Sequence, residues 1–401
     1  MSTHGYQQPG HPPAHIDALQ SLRGIFAVFI FFHHLDVFPA GGDVGVVFFL
    51  MLSGFVMTYG YGARVLEEGF NRQRYLKRRV ARVWPLHLVC LLAALTLLPV
   101  TLNADTVAAL GLNIVLLQSW VPLRDFFFSG NSVSWCLCDL MFFYILFPWL
   151  RRLFHRLKGR LIAVLTAAAA ALYVAVAVIV PADFRLGVVY VNPLMRLPDF
   201  LIGMGLCMLL LHHRQRLPRM SESAATAAQA GVWLLLGLFI ALWPFVPPTV
   251  QYASLWWIPC GALLMATACG GPLTRLLKWR PLVRAGELSF SFYMIHQLVI
   301  RVMRRALYHW QLEWSTSLCI VVALTATIFA TWVLHRLVRC RHAAFCCGKG
   351  PENYILRLFN FIIAEILLPL RLKYQEAAEG SSDAASGSGK IWLLATTLKE
   401  C

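Results

Sequence analysis

The sequence has few charged residues for its length. Asp, Glu, Lys and Arg make up only 13% of its 401 residues, whereas 59% are hydrophobic and the mean hydropathy is +0.64. An ordinary soluble domain carries about twice that share of charge, so this shortage excludes one. Apolar stretches long enough to cross a hydrocarbon core of about 30 Å recur along the chain. The sequence therefore predicts an all-α, polytopic bundle of membrane helices.

Acidic residues are also scarce, the cysteines lack metal-ligand spacing, and no internal repeat is evident. The 19 acidic residues face 35 basic ones, a net charge of +16, and such an excess is typical of short cytoplasmic loops between membrane helices. The eleven cysteines show no metal-ligand spacing, so they are interpreted as small apolar residues. The first 15 residues contain no Lys or Arg, which favours a retained first span over a secretory signal.

What the sequence does contain is a series of apolar segments separated by basic clusters. We predict eleven apolar segments, at 17–38, 44–61, 84–100, 105–121, 135–150, 161–181, 191–211, 228–246, 253–270, 286–300 and 315–334. The basic clusters lie at 64–82, 151–160, 214–219, 275–284 and 336–341. Because such clusters stay on the cytoplasmic side, an even number of crossings should separate each neighbouring pair.

The first pair of clusters breaks this parity, because three segments separate 64–82 from 151–160. The weakest of the three is 105–121, which is short and contains Asn113 and Gln118. We predict that it is re-entrant or lies against the bundle, since membranes tolerate irregular backbone that is buried in protein. The fold prediction is about ten transmembrane helices plus this partly inserted segment, with both termini cytoplasmic. This topology would place three basic residues on the external side of the membrane, namely Arg301, Arg304 and Arg305.

The same pattern divides the chain into three regions. Residues 1–16 are predicted to be a cytoplasmic N-terminal tail, 17–341 the membrane-embedded domain, and 342–401 an atypical C-terminal tail. This last region holds an apolar patch at 355–370 and a Gly/Ser/Ala-rich stretch that is typical of a flexible linker. The whole arrangement predicts a multi-pass protein of the plasma (inner) membrane.

Two polar residues of the first span are candidates for a functional site. A charged group inside a span costs about 2.5–3.5 kcal/mol on insertion scales, so it is rarely retained without a role. Arg23 and His34 are eleven residues apart, which places them on one helix face about 16 Å apart along the axis. His33 points about 100° away from His34. This arrangement suits a site that extends across the bilayer; a simple hydrogen bond from His34 to another helix is the structural alternative.

Two further pairs are spaced three residues apart. Arg79 and Arg82 share a helix face at the entry to the third span, and two guanidinium groups there suit a phosphate-bearing ligand. The alternative is that they are ordinary basic residues flanking a cytoplasmic helix end. Arg196 and Asp199 have the same spacing and are interpreted as a structural pair.

The tenth span contains Glu287, Tyr293 and His296. Glu287 and His296 are nine residues apart, so they point to opposite sides of a helix. His296 is therefore interpreted as a packing residue or as part of an acceptor site rather than as a second base.

Six sequence stretches follow one another in a recognisable order. They are IDALQSLRG with FFHH in the first span, GVVFFLMLSGF (Gly45 to Phe55), RRVARVWP (Arg78 to Pro85), MFFYILFP (Met141 to Pro148), NPLMRLPDFLIGMGL (Asn192 to Leu206) and AGELSFSFYMIHQ (Ala285 to Gln297). Together they extend over residues 16–297. In this order they resemble the acyltransferase 3 family of bacterial membrane-bound O-acyltransferases.

The resemblance implies roles for four residues. The Arg and His of the family's first span correspond to Arg23 and His34, and the two Arg of its third helix correspond to Arg79 and Arg82. It implies that His34 activates the acceptor, with Arg23 in the same catalytic site, and that Arg79 and Arg82 bind the coenzyme A thioester. The donor would be acyl-CoA, with acetyl-CoA favoured, and neither a permanently bound cofactor nor a metal is expected.

The chain departs from the family pattern at an acidic residue. The family reads Trp-Ser-Leu-Ser-Val-Glu where this chain reads WCLCDL, from Trp135 to Leu140. The acid, Asp139, is therefore displaced by one position, which rotates it by about 100° on a helix. A Ser-Gly pair at Ser53 and Gly54 matches the family, and the glycine there predicts a close approach of two helices.

The predicted activity is transfer of an acyl group, acetyl favoured, from cytoplasmic acyl-CoA to a hydroxyl group of a carbohydrate, glycolipid or small-molecule acceptor. A neutral histidine can take up the hydroxyl proton at physiological pH, which makes His34 the predicted general base. No Ser-His-Asp arrangement is visible, so direct transfer is favoured over a covalent enzyme intermediate. The expected partners are the donor, the acceptor and the lipid bilayer, without nucleic acid.

Two other functions are compatible with intramembrane charge. One is a transporter or flippase of an acylated lipid or glycan, and the other is a non-catalytic membrane scaffold. The co-occurrence of Arg23, His34, Arg79 and Arg82 favours the enzyme, because a transporter has no need of a coenzyme A anchor.

Overall fold

The protein is helical throughout the part of the chain that the structure covers. The computed structural model describes residues 15–101, 103–213, 221–252 and 255–346, and no strand occurs among them. The α-helices are α1 (His15–His33), α2 (Ala40–Tyr61), α3 (Arg72–Leu97), α4 (Ala104–Ile114), α5 (Arg124–Phe127), α6 (Trp135–Arg156), α7 (Gly159–Ile179), α8 (Ala182–Arg185), α9 (Leu197–His213), α10 (Glu222–Leu242), α11 (Pro248–Gln251), α12 (Trp257–Cys269), α13 (Pro272–Leu276), α14 (Arg280–His309) and α15 (Thr316–Cys346). Short 3-10 turns occupy Arg64–Leu66, Gln118–Trp120, Ser132–Ser134 and Trp243–Phe245, and a π-helical turn occupies Leu186–Tyr190.

Every predicted apolar segment contains a helix, so the all-α prediction is confirmed. Within the described ranges, six helices are long and apolar enough to cross a membrane, namely α2, α3, α6, α7, α10 and α15. The other segments form shorter helices, such as α9 and α12, or carry charged residues, as α1 does at Arg23 and α14 at Glu287. The count of ten spans is therefore not confirmed and stays a prediction, as does the orientation of the termini.

The centre of the bundle is held together at glycine contacts between helices. α2 packs most extensively against α9, and α1 against α14. A Cβ atom at Gly54 of α2 would clash with the carbonyl oxygen of Phe200, and one at Gly203 of α9 would clash with that of Met51. The close approach predicted at Gly54 is thus confirmed, because only glycine lets these two backbones touch.

The same type of contact joins α1 to α14. A Cβ atom at Gly286 would clash with the carbonyl oxygen of Gln20, and one at Gly24 would lie 3.0 Å from the backbone nitrogen of Gly286. Backbone therefore meets backbone at this point, which fixes the height of α14 relative to α1. Every residue that these two helices contribute to a common site depends on this register.

The segment at 105–121 does not form a membrane-crossing helix. Its helix, α4, has 11 residues, a length of about 16 Å, whereas the hydrocarbon core is about 30 Å thick. Turns and the short α5 then lead to α6. Asn113 is fully buried, and its side-chain Nδ2 donates to the Ser129 backbone carbonyl at 2.8 Å. The backbone carbonyl oxygen of Asn113 lies 2.9 Å from His87 Nε2. This irregular backbone is therefore satisfied within the protein, as expected of a segment lying against the bundle.

The turns between α5 and α6 also attach to α14. Asn131 Nδ2 donates to the carbonyl of Met294 at 2.8 Å, and the Tyr293 hydroxyl donates to the carbonyl of Val133 at 3.0 Å. These two bonds attach the middle of α14, about two turns beyond its glycine contact, to the turns that precede α6. They matter because the candidate site lies at this turn of α14.

A buried ion pair stabilises the start of α9. Arg196 Nε lies 3.0 Å from Asp199 Oδ2, and both side chains are 1% exposed. Arg196 Nη1 also donates to the Tyr173 hydroxyl at 3.2 Å, and Trp257 Nε1 donates to Asp199 Oδ1. The structural pair predicted from the spacing is confirmed.

The chain divides into two compact units, Met1–Ala343 and Ala344–Cys401. The candidate site belongs wholly to the first unit. The predicted tail at 342–401 lies almost entirely outside the described residues, so the proposed boundaries at 16 and 341 stay predictions.

Candidate active site

Both candidate residues of the first span belong to one continuous helical run. Arg23 lies in the middle of α1, and His34 follows its last residue. The backbone N–H of His34 donates to the carbonyl of Ile30 at 3.1 Å, so the helical pattern still holds at this position. Asp36 then adopts a left-handed φ of 61°, which ends the run. The rise of about 16 Å from Arg23 to His34 therefore applies to the folded protein.

The three predicted arginines line one cavity. Its volume is about 130 Å³, and Arg23 from α1 and Arg79 and Arg82 from α3 contribute to its wall. We call it the arginine cavity. Its remaining lining residues are Phe49, Leu52, Ser53, Val56, Met57, Val83, Cys136, Leu137, Leu140, Tyr144, Ser289, Phe290 and Tyr293. Most of these side chains are apolar, so the arginine cavity combines a cationic edge with an apolar interior.

Arg79 is held in a cage of three tyrosines. Its guanidinium carbon lies 4.3 Å from the ring centre of Tyr61, 5.5 Å from that of Tyr144 and 5.9 Å from that of Tyr75. The cage is itself fixed, because the Tyr75 hydroxyl donates to the Tyr144 carbonyl at 3.1 Å. Cation–π contacts of this kind orient a guanidinium without neutralising its charge. Arg82, one turn further along α3, is exposed.

Three guanidinium groups facing one cavity suit a ligand with several negative charges. Arginine binds phosphate through two parallel N–H groups, and its charge is permanent. The apolar wall beyond the arginines suits an uncharged chain attached to the phosphates. The arginine cavity could therefore hold a ligand that carries phosphates at one end and an apolar or neutral arm at the other.

His34 is absent from the lining of the arginine cavity and instead meets a histidine of α14. The ring centres of His34 and His296 are 5.1 Å apart, and His296 is fully buried. We call these two residues the histidine pair. The ring of Tyr293, which lines the arginine cavity, lies 5.7 Å from that of His296. One turn of α14 thus connects the arginine cavity with the histidine pair.

The other neighbours of His34 are an amide and an ion pair. Gln297 Nε2 lies 3.5 Å from His34 Nδ1. Arg304 donates from Nη2 to the backbone carbonyl of His34 at 3.1 Å and forms an ion pair with Asp36 at 2.7 Å. His33 Nδ1 donates to the Pro39 carbonyl at 2.7 Å, so this histidine is engaged by the loop that follows α1.

Neither a metal cluster nor an acidic partner accompanies the histidine pair in the ranges that the structure describes. No group of three or more His, Cys, Asp or Glu residues there could hold a metal ion. The described ion pairs include Arg196–Asp199, Arg275–Glu222 and Arg304–Asp36, and none of these three includes either histidine. The chemistry of the pair therefore has to be derived from the imidazoles, the amide of Gln297 and the nearby guanidinium of Arg304.

The displaced acid, Asp139, lies outside the arginine cavity. It is fully buried, and its electrostatic neighbours are Arg196 and Asp199. Leu140, the next residue, lines the arginine cavity at the position where the family pattern has its acid. The rotation of about 100° that separates neighbouring residues on a helix accounts for this difference.

Sequence reasoning missed three features of the site. Ser289 and Tyr293 line the arginine cavity, and Gln297 adjoins His34, yet none of them was assigned a role. Together with His296 they form a stripe along α14 at intervals of three to four residues. The signal was present in the SFSFYMIHQ run, but helix periodicity alone does not tell which neighbouring helix the stripe contacts.

Known proteins give a consistent comparison. The family model described as Acyltransferase domain, acyltransferase 3, matches residues 16–336. Acyltransferase MdmB from Streptomyces mycarofaciens is 29% identical over 322 residues, covering 74% of this chain and 80% of that relative. Protein 2 in picA locus from Rhizobium radiobacter is 36% identical over 84 residues, covering 20% of this chain and 44% of that relative. No solved structure gives a match.

The family match covers far more than half of the chain and includes every residue of the arginine cavity and of the histidine pair. The relative with the longest reported alignment is itself named an acyltransferase. This chain therefore belongs to the acyltransferase 3 family and is a multi-helix membrane acyltransferase.

Proposed function

We propose that the protein transfers an acyl group, acetyl in the first instance, from acyl-CoA to a hydroxyl group of an acceptor. The observation that carries this proposal is the convergence of Arg23, Arg79 and Arg82 on one cavity with an apolar interior. Coenzyme A has that composition, with its phosphates at one end and a long, neutral pantetheine arm that ends in the thioester. The arginines bind the phosphates, and the arm extends inward along the apolar wall.

The separation between the arginine cavity and His34 fits this donor. The phosphates of coenzyme A and its thioester are far apart, because the pantetheine arm lies between them. A rise of about 16 Å along α1 separates Arg23 from His34. Tyr293 and His296, on neighbouring turns of α14, span the interval between the two regions. The thioester is thus delivered toward the histidine pair while the phosphates remain with the arginines.

Transfer then needs one proton acceptor. The acceptor O–H bond breaks as its oxygen attacks the thioester carbonyl, and His34 takes up the proton. The C–S bond breaks next, the coenzyme A thiolate leaves with the electron pair, and protonated His34 returns the proton to the sulfur. The products are an ester and coenzyme A thiol, and the enzyme is unchanged.

The acceptor belongs to a carbohydrate, a glycolipid or a small molecule, and the reaction takes place in the plasma (inner) membrane. Both termini would face the cytoplasm, where acyl-CoA is made. The histidine pair lies beyond the arginine cavity along α1 and α14, so an acceptor can approach His34 without displacing the donor phosphates.

Radiolabelled acetyl-CoA supplied to membranes that contain the protein tests the proposal. Wild-type membranes should release coenzyme A thiol and label an acceptor from a panel of sugars, glycolipids and small hydroxylated molecules. The Arg79→Ala/Arg82→Ala double variant should raise KM for acetyl-CoA by about tenfold or more, because each charge-assisted hydrogen bond is worth about 1.5–3 kcal/mol.

A matched control comes from the same helix. Arg74 and Arg78 are exposed on α3 and lie outside the lining of the arginine cavity. The Arg74→Ala/Arg78→Ala variant removes the same charge, so it separates donor binding from the contribution of basic residues to membrane topology. Equal KM values for the two double variants would contradict the proposed donor site.

A further inference from the structure

Two buried atoms, one in the histidine pair and one in the neighbouring Gln297, make no hydrogen bond. His296 Nε2 is buried and makes no hydrogen bond, and the same is true of Gln297 Oε1. Buried polar atoms in native proteins are nearly always paired, so two unpaired acceptors next to the candidate base need an explanation.

The hydrogen bond at Nδ1 of His296 identifies the tautomer of its neutral ring. Nδ1 lies 2.7 Å from the carbonyl oxygen of Tyr293, and a carbonyl can only accept a hydrogen bond. Nδ1 therefore carries a hydrogen. Full burial favours the neutral ring, in which Nε2 presents a lone pair, and this acceptor atom is the one left without a partner.

The role of base places a demand on His34 that these atoms can meet. Neutral His34 must present its lone pair at the nitrogen that faces the reacting oxygen, so its one N–H group lies on the other nitrogen, and the imidazolium carries N–H groups on both. One N–H of protonated His34 faces the reacting oxygen or sulfur, and the other requires an acceptor in a region with little water. In a Ser-His-Asp triad a carboxylate fills that place, but no ion pair in the described ranges brings a carboxylate to His34.

We propose that His296 is a positioning residue that orients His34 and stabilises its protonated form through the Nε2 lone pair. The Gln297 amide is a second acceptor once it rotates to place Oε1 where its Nε2 now lies beside His34 Nδ1. This inference rests on the proposed function, because the proton comes from the acceptor hydroxyl. In the reacting complex the N–H of His34 that points away from the substrate donates to His296 Nε2, which leaves the lone pair of His34 toward the acceptor hydroxyl. When His34 takes up the proton, this hydrogen bond becomes charge-assisted and stronger, and it weakens again when the thiolate is protonated.

The surrounding structure holds His296 in place for this role. The ring is parallel to that of Phe292, with 6.2 Å between centres and 7° between planes. The turn that carries it is attached to Val133 and Asn131 through Tyr293 and Met294. A purely structural histidine would need the same packing and the bond to Tyr293, but it would have no use for Nε2.

Two substitutions separate the positioning role from a structural one. His296→Asn places an amide N–H near the position of Nδ1, so it keeps the bond to the Tyr293 carbonyl but removes the acceptor at the position of Nε2. His296→Gln places its amide oxygen near the position of Nε2, so it keeps an acceptor for His34. We expect kcat to fall by about 10- to 100-fold in His296→Asn, as for loss of a hydrogen bond to a charged group, and to be largely restored in His296→Gln. KM for acetyl-CoA should remain unchanged in both.

The possible results distinguish the positioning role of His296 from a structural one. A His296→Asn variant as active as wild type, or a His296→Gln variant less active than His296→Asn, would overturn the positioning role while the wild-type activity keeps the proposed function intact. Wild-type membranes that transfer no acetyl group would overturn both proposals. If both His296 variants lose acetyl-CoA binding through misfolding, Gln297→Leu and Gln297→Glu decide instead. A fall in kcat confined to Gln297→Leu supports the acceptor role, and equal activity of the two variants overturns it.

Discussion

The arginine cavity and the histidine pair share α1 and α14, with α3 adding two of the arginines of the cavity, but they differ in the charge and burial of their side chains. The cavity is lined by three cations, one of them exposed, whereas the histidine pair is built from two imidazole rings, and His296 has no exposed surface. An imidazole takes up a proton less readily beside cations. The comparison teaches that the guanidinium groups suited to phosphates and the imidazoles suited to proton transfer are separated along α1, and that the cation near His34, Arg304, is itself paired with Asp36.

The largest expected effect is the loss of acyl transfer when His34 of the histidine pair is replaced. His34→Ala should reduce acyl transfer by at least about a hundredfold, because a general base contributes about 10²–10⁴-fold. His33→Ala is the matched control, and it should do much less because His33 bonds to the loop at Pro39. Rates of label transfer from acetyl-CoA at saturating donor measure both.

The alternative for His34 is a hydrogen bond between helices, worth about 0.6–2 kcal/mol, which an amide could replace. His34→Gln or His34→Asn membranes that transfer acetyl groups at the wild-type rate would therefore remove His34 from the role of base.

The second prediction joins the two regions, because both depend on the register of α1 and α14. Gly286→Ala forces a methyl group into the Gln20 carbonyl, and overpacking of this kind costs about 1–3 kcal/mol. We expect a lower thermal unfolding temperature together with a loss of both donor binding and transfer. Gly205→Ala is the control, since a Cβ there meets nothing within 4 Å. Loss of transfer alone in Gly286→Ala would show that the cavity does not depend on this contact.

The third prediction sharpens the comparison within the arginine cavity. Lysine keeps the charge of arginine but lacks its planar fork, so Arg79→Lys loses both its bidentate geometry and its contacts with the tyrosine cage. We expect KM for acetyl-CoA to rise by about 3- to 10-fold, with a smaller rise in Arg82→Lys, because Arg82 is exposed. Steady-state kinetics on the two variants check the order, and the reverse order would mean that the cage is only structural.

The smallest effect is expected at Asp139. Because its side chain lies outside the arginine cavity, Asp139→Asn should leave KM for acetyl-CoA unchanged in membranes with normal protein levels. Leu140→Ala widens the cavity wall and should lower the preference for acetyl-CoA over longer acyl-CoA donors. A raised KM in Asp139→Asn would show that the displaced acid still serves the donor site.

Much of this architecture could be predicted from the sequence. Long apolar runs, the Arg196–Asp199 spacing and the glycine at 54 each act locally, so periodicity and composition are sufficient to locate them. The number of membrane-spanning helices was harder to predict. Residues such as Arg23 and Glu287 lower the hydropathy of helices that belong to the centre of the bundle.

Contacts between distant parts of the chain were not predictable in the same way. Periodicity placed Glu287 and His296 on opposite sides of one helix but did not reveal that His296 would face α1. The expectation that His296 is a packing residue or part of an acceptor site rather than a second base stays a prediction, and its position beside His34 motivates the positioning role. The attachment of α14 to Val133 and Asn131 is likewise a tertiary feature with no local signature.

The central claim is that donor binding and proton transfer are performed by separate groups of one helix bundle. The most direct test measures acetyl-CoA binding and acetyl transfer on the same membranes, for His34→Ala and for Arg79→Ala/Arg82→Ala. The account predicts wild-type binding with at least about a hundredfold less transfer in His34→Ala, and weakened binding with transfer recovered at saturating acetyl-CoA in the double arginine variant. Parallel loss of binding and transfer in both variants would contradict it.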